Sequence, residues 1–322
     1  MKKIVLCFFL LTLVLSNVKA QQSMKAKTEK KIKSAEVLYH TVEIDGQTVF
    51  YRAAGDPKNP TLLLLHGFPS SSRMWQPMLE GLSDNYYVVA PDYIGFGHSS
   101  QPDHHQFTYT FDNLAHYVDR LIDKLSLRKF VLVQQDYGGP IGMRIAEKNP
   151  DKIQAIIVQN AVSHIEGLSP LWETRKAFWN DKEKYYDAVK KNFISFEATK
   201  QRHIGNTPTP EKIDPDSYTD EYLFLNKPGM ADIQLNLFHD YQSNVKLYPE
   251  WQKWLKKNQP KMLVIWGKYD PSFTVAGAWK YKEDVPSAEV HIVDGGHFIL
   301  DETKNEVISL MRTFIKRINN ED

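Results

Sequence analysis

Val131-Leu132-Val133-Gln134-Gln135-Asp136-Tyr137-Gly138-Gly139-Pro140 is the stretch on which the reading of this chain turns. The apolar run that opens it has the make-up of a strand buried on both faces. Pro140 suits the first turn of a helix, where its missing N–H costs nothing. Between them the backbone must turn sharply, and Gly138 and Gly139 leave room for that turn. The side chain thrust out at the turn is Asp136. Taken alone it has two readings. It caps the following helix, as aspartate often does, or it is a reactive group presented at the end of a strand.

The flanking sequence places that turn in a larger pattern. Asp45-Gly46 between apolar-rich runs at 37–44 and 48–53 predicts a β-hairpin. Buried strands are expected at 61–65, 86–90, 130–134 and 153–159, with helices at about 71–82, 111–125 and from 139 onward. Strict alternation of this kind indicates a parallel, doubly wound sheet. It breaks at 161–245, a stretch rich in Trp, Tyr and Phe that reads as helices joined by Pro-containing connections. It resumes with strands at 262–266 and 289–293 and a final amphipathic helix at about 303–318. The domain reading is therefore an α/β core at 37–160 and 246–322, interrupted by a helical cap at 161–245.

The N-terminus has a different character. Lys2 and Lys3 precede an apolar run at 4–15, and Val18 and Ala20 supply small residues at a cleavage site, so residues 1–20 read as a secretory signal peptide. The apolar run falls short of the roughly 20 residues that span a bilayer. Export to the periplasm or the exterior is expected, without stable membrane insertion after cleavage. The sole cysteine, Cys7, lies inside this segment, so the mature chain relies on its core and not on disulfides. A Lys-rich stretch at 21–36 reads as mobile. Lys and Arg total 40 against 39 Asp and Glu in 322 residues. That balance offers no electrostatic reason for a nucleic-acid or anionic-membrane partner, and a small uncharged molecule is the expected ligand.

Three further motifs sit at strand ends. His66-Gly67-Phe68-Pro69 follows the strand at 61–65, Gly267-Lys268-Tyr269-Asp270-Pro271 follows 262–266, and Gly295-Gly296-His297 follows 289–293. A fourth, Asp92-Tyr93-Ile94-Gly95-Phe96-Gly97-His98-Ser99, reads as a structural turn. With these motifs in order, the sheet portions resemble the α/β-hydrolase superfamily, and specifically its epoxide hydrolase and haloalkane dehalogenase branch. The likeness is diffuse in the cap.

The resemblance implies roles. Asp136 is the expected nucleophile, His297 the general base, and Asp270 the acid that orients it. The backbone N–H groups of Phe68 and Tyr137 would form the oxyanion hole, with His66 fixing the loop. A carboxylate attacks an sp³ carbon and leaves an alkyl ester on the enzyme, which a His-activated water then hydrolyses. Epoxide opening needs an acid, for which Tyr241 in a Leu-Asn-x-Tyr-Arg-like segment is the candidate. Trp172 and Trp179 are candidates for lining the pocket. Neither cofactor nor metal is implied. Tyr137 and Phe68 stand where many dehalogenases carry halide donors, which favours an epoxide hydrolase-type enzyme. The Gln135-Asp136-Tyr137-Gly138-Gly139 elbow resembles that of some dehalogenases, so that chemistry is the alternative, along with a ligand-binding homologue that has lost turnover.

Overall fold

The computed structural model describes residues 36–320. The expected signal peptide, nearly all of the 21–36 stretch and Cys7 lie outside the described residues. The chain opens with the antiparallel pair β1 (Leu38–Ile44) and β2 (Gln47–Ala54), in which Ile44 faces Gln47. Asp45 and Gly46 are thus a two-residue turn, both with positive φ (47° and 79°), the conformation that aspartate and glycine tolerate in tight hairpins.

Six further strands follow: β3 (Thr61–Leu65), β4 (Tyr87–Pro91), β5 (Phe130–Gln135), β6 (Ile153–Gln159), β7 (Met262–Gly267) and β8 (Glu289–Val293). Together the eight form one sheet in the order β1-β2-β4-β3-β5-β6-β7-β8. β2 joins β4 antiparallel, and every pairing from β4 to β8 is parallel. This is the mostly parallel, doubly wound sheet that the alternation predicted, and the fold that the α/β-hydrolase resemblance implies. Every residue of β3 is buried because both faces of the sheet are covered. Leu62, Leu64, Val131, Val133 and Ile157 pack under α1 (Gln76–Leu82) and under the C-terminal helix. Leu63, Leu65, Leu132, Ile156 and Val158 face the other way, against α2 (Phe111–Lys124) and α3 (Gly138–Lys148). Each such leucine is worth about 1.5–3 kcal/mol of burial.

The cap lies between β6 and β7. It comprises α4 (Leu171–Asn180), α5 (Lys182–Ile194), α6 (Phe196–Ile204), α7 (Pro215–Leu225) and α8 (Met230–Asn258). Side chains of Asp181, Ser195 and Asp214 accept from backbone N–H groups at the starts of α5, α6 and α7, which divides the segment into short helices. α8 is different. Its 29 residues run unbroken through the cap boundary placed at 245/246 by sequence. Two helices follow: α9 (Val275–Asp284), which the sequence reading passes over, and α10 (Ile299–Asn320). The buried face of α9 is Gly277, Ala278 and Tyr281, too small and mixed to display a helical stripe. α10 begins ahead of the expected position and kinks at Thr303, whose φ of −124° is not helical. Among the described residues no helix is long and apolar enough to cross a membrane.

A tight joint in the sheet is where α3 meets β3. A Cβ placed on Gly138 would stand 2.2 Å from the carbonyl oxygen of Leu65. The helix can approach the strand this closely only because the residue is glycine. Gly138→Ala should therefore destabilise the protein by about 1–3 kcal/mol through overpacking. The shift of the urea midpoint checks it, and an unchanged midpoint would show that α3 has slack against β3.

Candidate active site

Parallel strands bring their C-terminal ends to one edge, and each strand end there carries a polar side chain. Asp136 follows β5, Asn160 follows β6, Asp270 follows β7 and His297 follows β8. The structure brings Asp136, Asp270, His297 and the backbone of Phe68 and Tyr137 together, from positions spread over more than two hundred residues.

Asp136 is buried on a left-handed backbone, φ 47°. Its own N–H donates to Asn160 O at 3.2 Å, and Gly139 N–H donates back to Asp136 O at 2.9 Å. Its Oδ1 accepts the Phe68 N–H at 2.7 Å, and the carboxylate also accepts the Tyr137 N–H. The other oxygen, Oδ2, stands 3.8 Å from His297 Nε2. Burial raises the carboxyl above its usual range, while the His297 charge and the two N–H groups pull it back part of the way.

His297 Nδ1 faces Asp270 Oδ2 at 2.7 Å. Asp270 is itself tied down: its Oδ1 accepts the Ser272 and Phe273 N–H groups at 2.7 and 3.0 Å, and its Oδ2 accepts Asn160 Nδ2 at 2.7 Å. Asn160 completes the bridge by accepting Gly267 N–H at 2.9 Å. On the other side of the ring, Gln135 Nε2 approaches His297 Nε2 at 3.1 Å. In the neutral imidazole an amide N–H donated there leaves the ring proton on Nδ1, facing Asp270, and a lone pair on Nε2. Sequence reasoning missed both Asn160 and Gln135. Asn160 had a usable signal, its place directly after a parallel strand. Gln135 also explains Gly67, where a Cβ would stand 2.0 Å from Gln135 Oε1.

His66 and Asp92 serve the scaffold. His66 Nδ1 meets Gly67 O at 3.0 Å, its ring stacks on Tyr93 at 4.0 Å, and burial lowers its pKa to about 4. Asp92 accepts the Ser72 and His98 N–H groups at 2.6 and 2.8 Å.

The cavity over Asp136 is small, 20 Å³, room for about one water. The core lines it with Phe68, Asp136, Tyr137, Ser272 and His297, and the cap with Trp172, Arg175, Phe193, Arg202 and Phe238. Of the aromatics singled out from sequence, Trp172 is here, but its indole N–H is spent on Ser272 O at 3.0 Å. Trp179 stands outside the lining, its N–H donated to Phe238 O at 2.9 Å. Tyr241 also stays outside. Its ring packs on Trp172 and Tyr137, and its hydroxyl lies 3.4 Å from that of Tyr248. The structure does not bring that hydroxyl to the cavity, because the helical spacing from Tyr241 to Tyr248 on α8 turns both inward on each other.

The free donors are elsewhere. The Tyr137 hydroxyl is buried without a hydrogen-bond partner, and burial together with the Asp136 charge holds it protonated, well above the usual range. Arg175 and Arg202 bring two positive charges that the balanced whole-chain composition concealed. Residues suited to a metal ion, Asp103, His104 and His105, gather on a loop that does not line this cavity.

Comparison with known proteins agrees with this architecture. The α/β-hydrolase fold family matches residues 60–303. An uncharacterized hydrolase of Saccharomyces cerevisiae is 40% identical over 269 residues, covering 82% of this chain and 92% of that one. A haloalkane dehalogenase of Agrobacterium fabrum is 39% identical over 119 residues, 36% of this chain and 38% of that one. Epoxide hydrolase 4 of Mus musculus is 38% identical over 122 residues, 38% of this chain and 34% of that one.

The electrostatics of His297 are open to direct measurement. Burial alone would lower its pKa, but the charge and hydrogen bond of Asp270, with the Asp136 charge, outweigh it and leave the pKa raised. NMR titration should place the His297 midpoint above 6.5, the imidazole being neutral only at higher pH, and Asp270→Asn should bring the midpoint down. A wild-type midpoint at or below 6.5 would contradict this balance of charges.

Proposed function

The chain belongs to the α/β-hydrolase fold family, and from that premise we propose that it hydrolyses its substrate through an ester formed on Asp136, in an epoxide hydrolase-type reaction. One observation carries the reading: the Asp136 carboxylate accepts the backbone N–H groups of Phe68 and Tyr137, and its Oδ2 lies 3.8 Å from His297 Nε2.

The two oxygens divide the labour. Oδ2, the oxygen on the His297 side, attacks an oxirane carbon as the C–O bond breaks. The departing alkoxide takes the proton of the Tyr137 hydroxyl, a buried donor without a partner on a residue that lines the cavity. Tyr137 thus replaces Tyr241 as the ring-opening acid. In the second half, water gives a proton to His297 Nε2 and its oxygen attacks Cγ. Negative charge gathers on Oδ1, already seated against the Phe68 N–H, an arrangement in which one donor is typically worth ~3–4 kcal/mol. Collapse expels the diol oxygen, which takes the proton from His297. The second proton of that water, lost as Asp136 returns to carboxylate, restores the phenol.

Halide displacement is the second reading, supported by the dehalogenase relatives. It would use the same ester and would need donors for the halide. The indole N–H groups of Trp172 and Trp179 are both bound to backbone carbonyls, which supports the epoxide over the halide. Export of the enzyme, read from residues 1–20, belongs to the same proposal.

His297→Gln should let the ester form and then persist. Incubated with a panel of epoxides and haloalkanes, this variant should gain the mass of an intact epoxide on the peptide that holds Asp136, and Asp136→Asn should gain none. Tyr137→Phe should slow ester formation by about 10²–10⁴. The absence of any adduct from both classes would sink the covalent reading. Halide release with an alkyl adduct would favour the second chemistry, and full-rate ring opening in Tyr137→Phe would remove Tyr137 as the acid.

A further inference from the structure

The reaction described above leaves two charged groups without a task. Arg175 on α4 and Arg202 on α6 both line the cavity that holds Asp136. Each is laid on aromatic faces. The Arg175 guanidinium sits 4.4 Å from the Trp172 ring centre, and that of Arg202 sits 4.7 and 4.5 Å from Phe68 and Phe193. Among the described residues neither forms an ion pair with a carboxylate. Arg202 donates Nη2–H to Phe193 O at 2.6 Å, and its Nη1 is buried with no hydrogen-bond partner.

Such an arrangement is unfavourable in an empty site. A desolvated guanidinium with open N–H groups forfeits hydration without return, and the two arginines repel each other. Burial and that repulsion lower Arg202 to about 10, which still leaves it charged at neutral pH. Asp136 attracts both, but its oxygens are committed to backbone N–H groups and to His297. The unfilled partner is an anion.

We propose that the substrate carries a carboxylate next to its electrophilic carbon, and that Arg175 and Arg202 bind this carboxylate while Asp136 attacks. The inference rests on Asp136 as the attacking group and narrows the substrate class to short epoxy acids of the oxirane-carboxylate type. It also removes an obstacle. A carboxylate nucleophile approaching a carbon that bears a second carboxylate meets like charge, and two guanidiniums cancel it. A carboxylate fits the planar fork of arginine, and a cavity of 20 Å³ admits a short substrate only as side chains yield. Arg175, Phe193 and Phe238 also line a larger cavity of 560 Å³ between α4 and α5, so a ligand entering there meets a positive charge on the dividing wall. The uncharged ligand expected from overall composition is thereby replaced. Net charge describes the surface, and this site is set by two residues of the cap.

The decisive comparison is glycidate against glycidamide, its neutral counterpart of nearly equal size. Wild-type kcat/KM should favour glycidate by about 100-fold, and Arg175→Gln or Arg202→Gln should lower the glycidate value about 10- to 100-fold, as loss of a charged hydrogen bond does. Glycidamide turnover should fall less than glycidate turnover in both variants, so that the preference for the acid shrinks by about tenfold or more. Equal use of both compounds, or equal slowing of both in the variants, would overturn the proposal and leave the arginines as counter-charges for Asp136. Binding separates this inference from the chemistry beneath it. Propionate, which Asp136 cannot attack, should bind the wild type in calorimetry, propionamide should not, and either Arg→Gln change should weaken propionate about tenfold or more. Propionate binding without an ester adduct from any electrophile would keep the anion site and remove Asp136 as nucleophile. Adducts from neutral epoxides without propionate binding would do the reverse.

Discussion

A left-handed backbone at Asp136, φ 47°, is the constraint from which the rest of the site follows. A non-glycine residue in that conformation costs of order 1 kcal/mol and persists only when its surroundings hold it. Here they do so from three sides. Asn160 O receives its N–H, Gly139 returns a hydrogen bond to its carbonyl, and Gly138 lets α3 close against the Leu65 carbonyl. The reward is orientation. One carboxylate oxygen is directed at the Phe68 N–H and the other at an imidazole. A relaxed backbone at this position would point the side chain along the helix it precedes, as an ordinary cap.

Charge is arranged around that carboxylate with equal economy. Two carboxylates, Asp136 and Asp270, flank one imidazole, so His297 is drawn toward its charged form even though it is buried. Asn160 and the loop N–H groups of Ser272 and Phe273 hold Asp270 still, which keeps the imidazole proton on Nδ1. The cap then supplies positive charge from above through Arg175 and Arg202, stacked on aromatic rings, with Arg202 Nη1 left without a partner. Near the triad the core holds Asp270 and His297 in closed hydrogen bonds and leaves the Tyr137 hydroxyl open, while the cap leaves Arg202 Nη1 open.

The strands were legible in the sequence because a sheet covered on both faces demands unbroken apolar runs, and Leu62 to Leu65 is such a run. The polar residues at strand ends were legible because parallel strands finish on one edge, so position along the chain translates directly into position in space. α9 escaped because its buried face is built from Gly277, Ala278 and Tyr281. The 245/246 boundary fell within α8 because a helix that packs on the cap at one end and on the core at the other has no compositional seam.

Sequence alone therefore determined the alternating sheet and the turn at Asp136, which are written in local runs, and the resemblance carried by its motif order implied the pairing of that residue with Asp270 and His297. Tertiary structure decided which side chains face the cavity. Tyr241, an attractive candidate by motif, hydrogen-bonds within its own helix, and Tyr137, adjacent to Asp136, brings the unpartnered hydroxyl instead. Trp172 and Trp179 spend their N–H groups on backbone carbonyls, and Arg175 and Arg202 converge from helices whose sequences carry no motif. Helical caps present side chains by crossing angle and rotamer. Neither leaves a periodic trace in the chain, so the charge that selects a substrate appears only once the helices are packed.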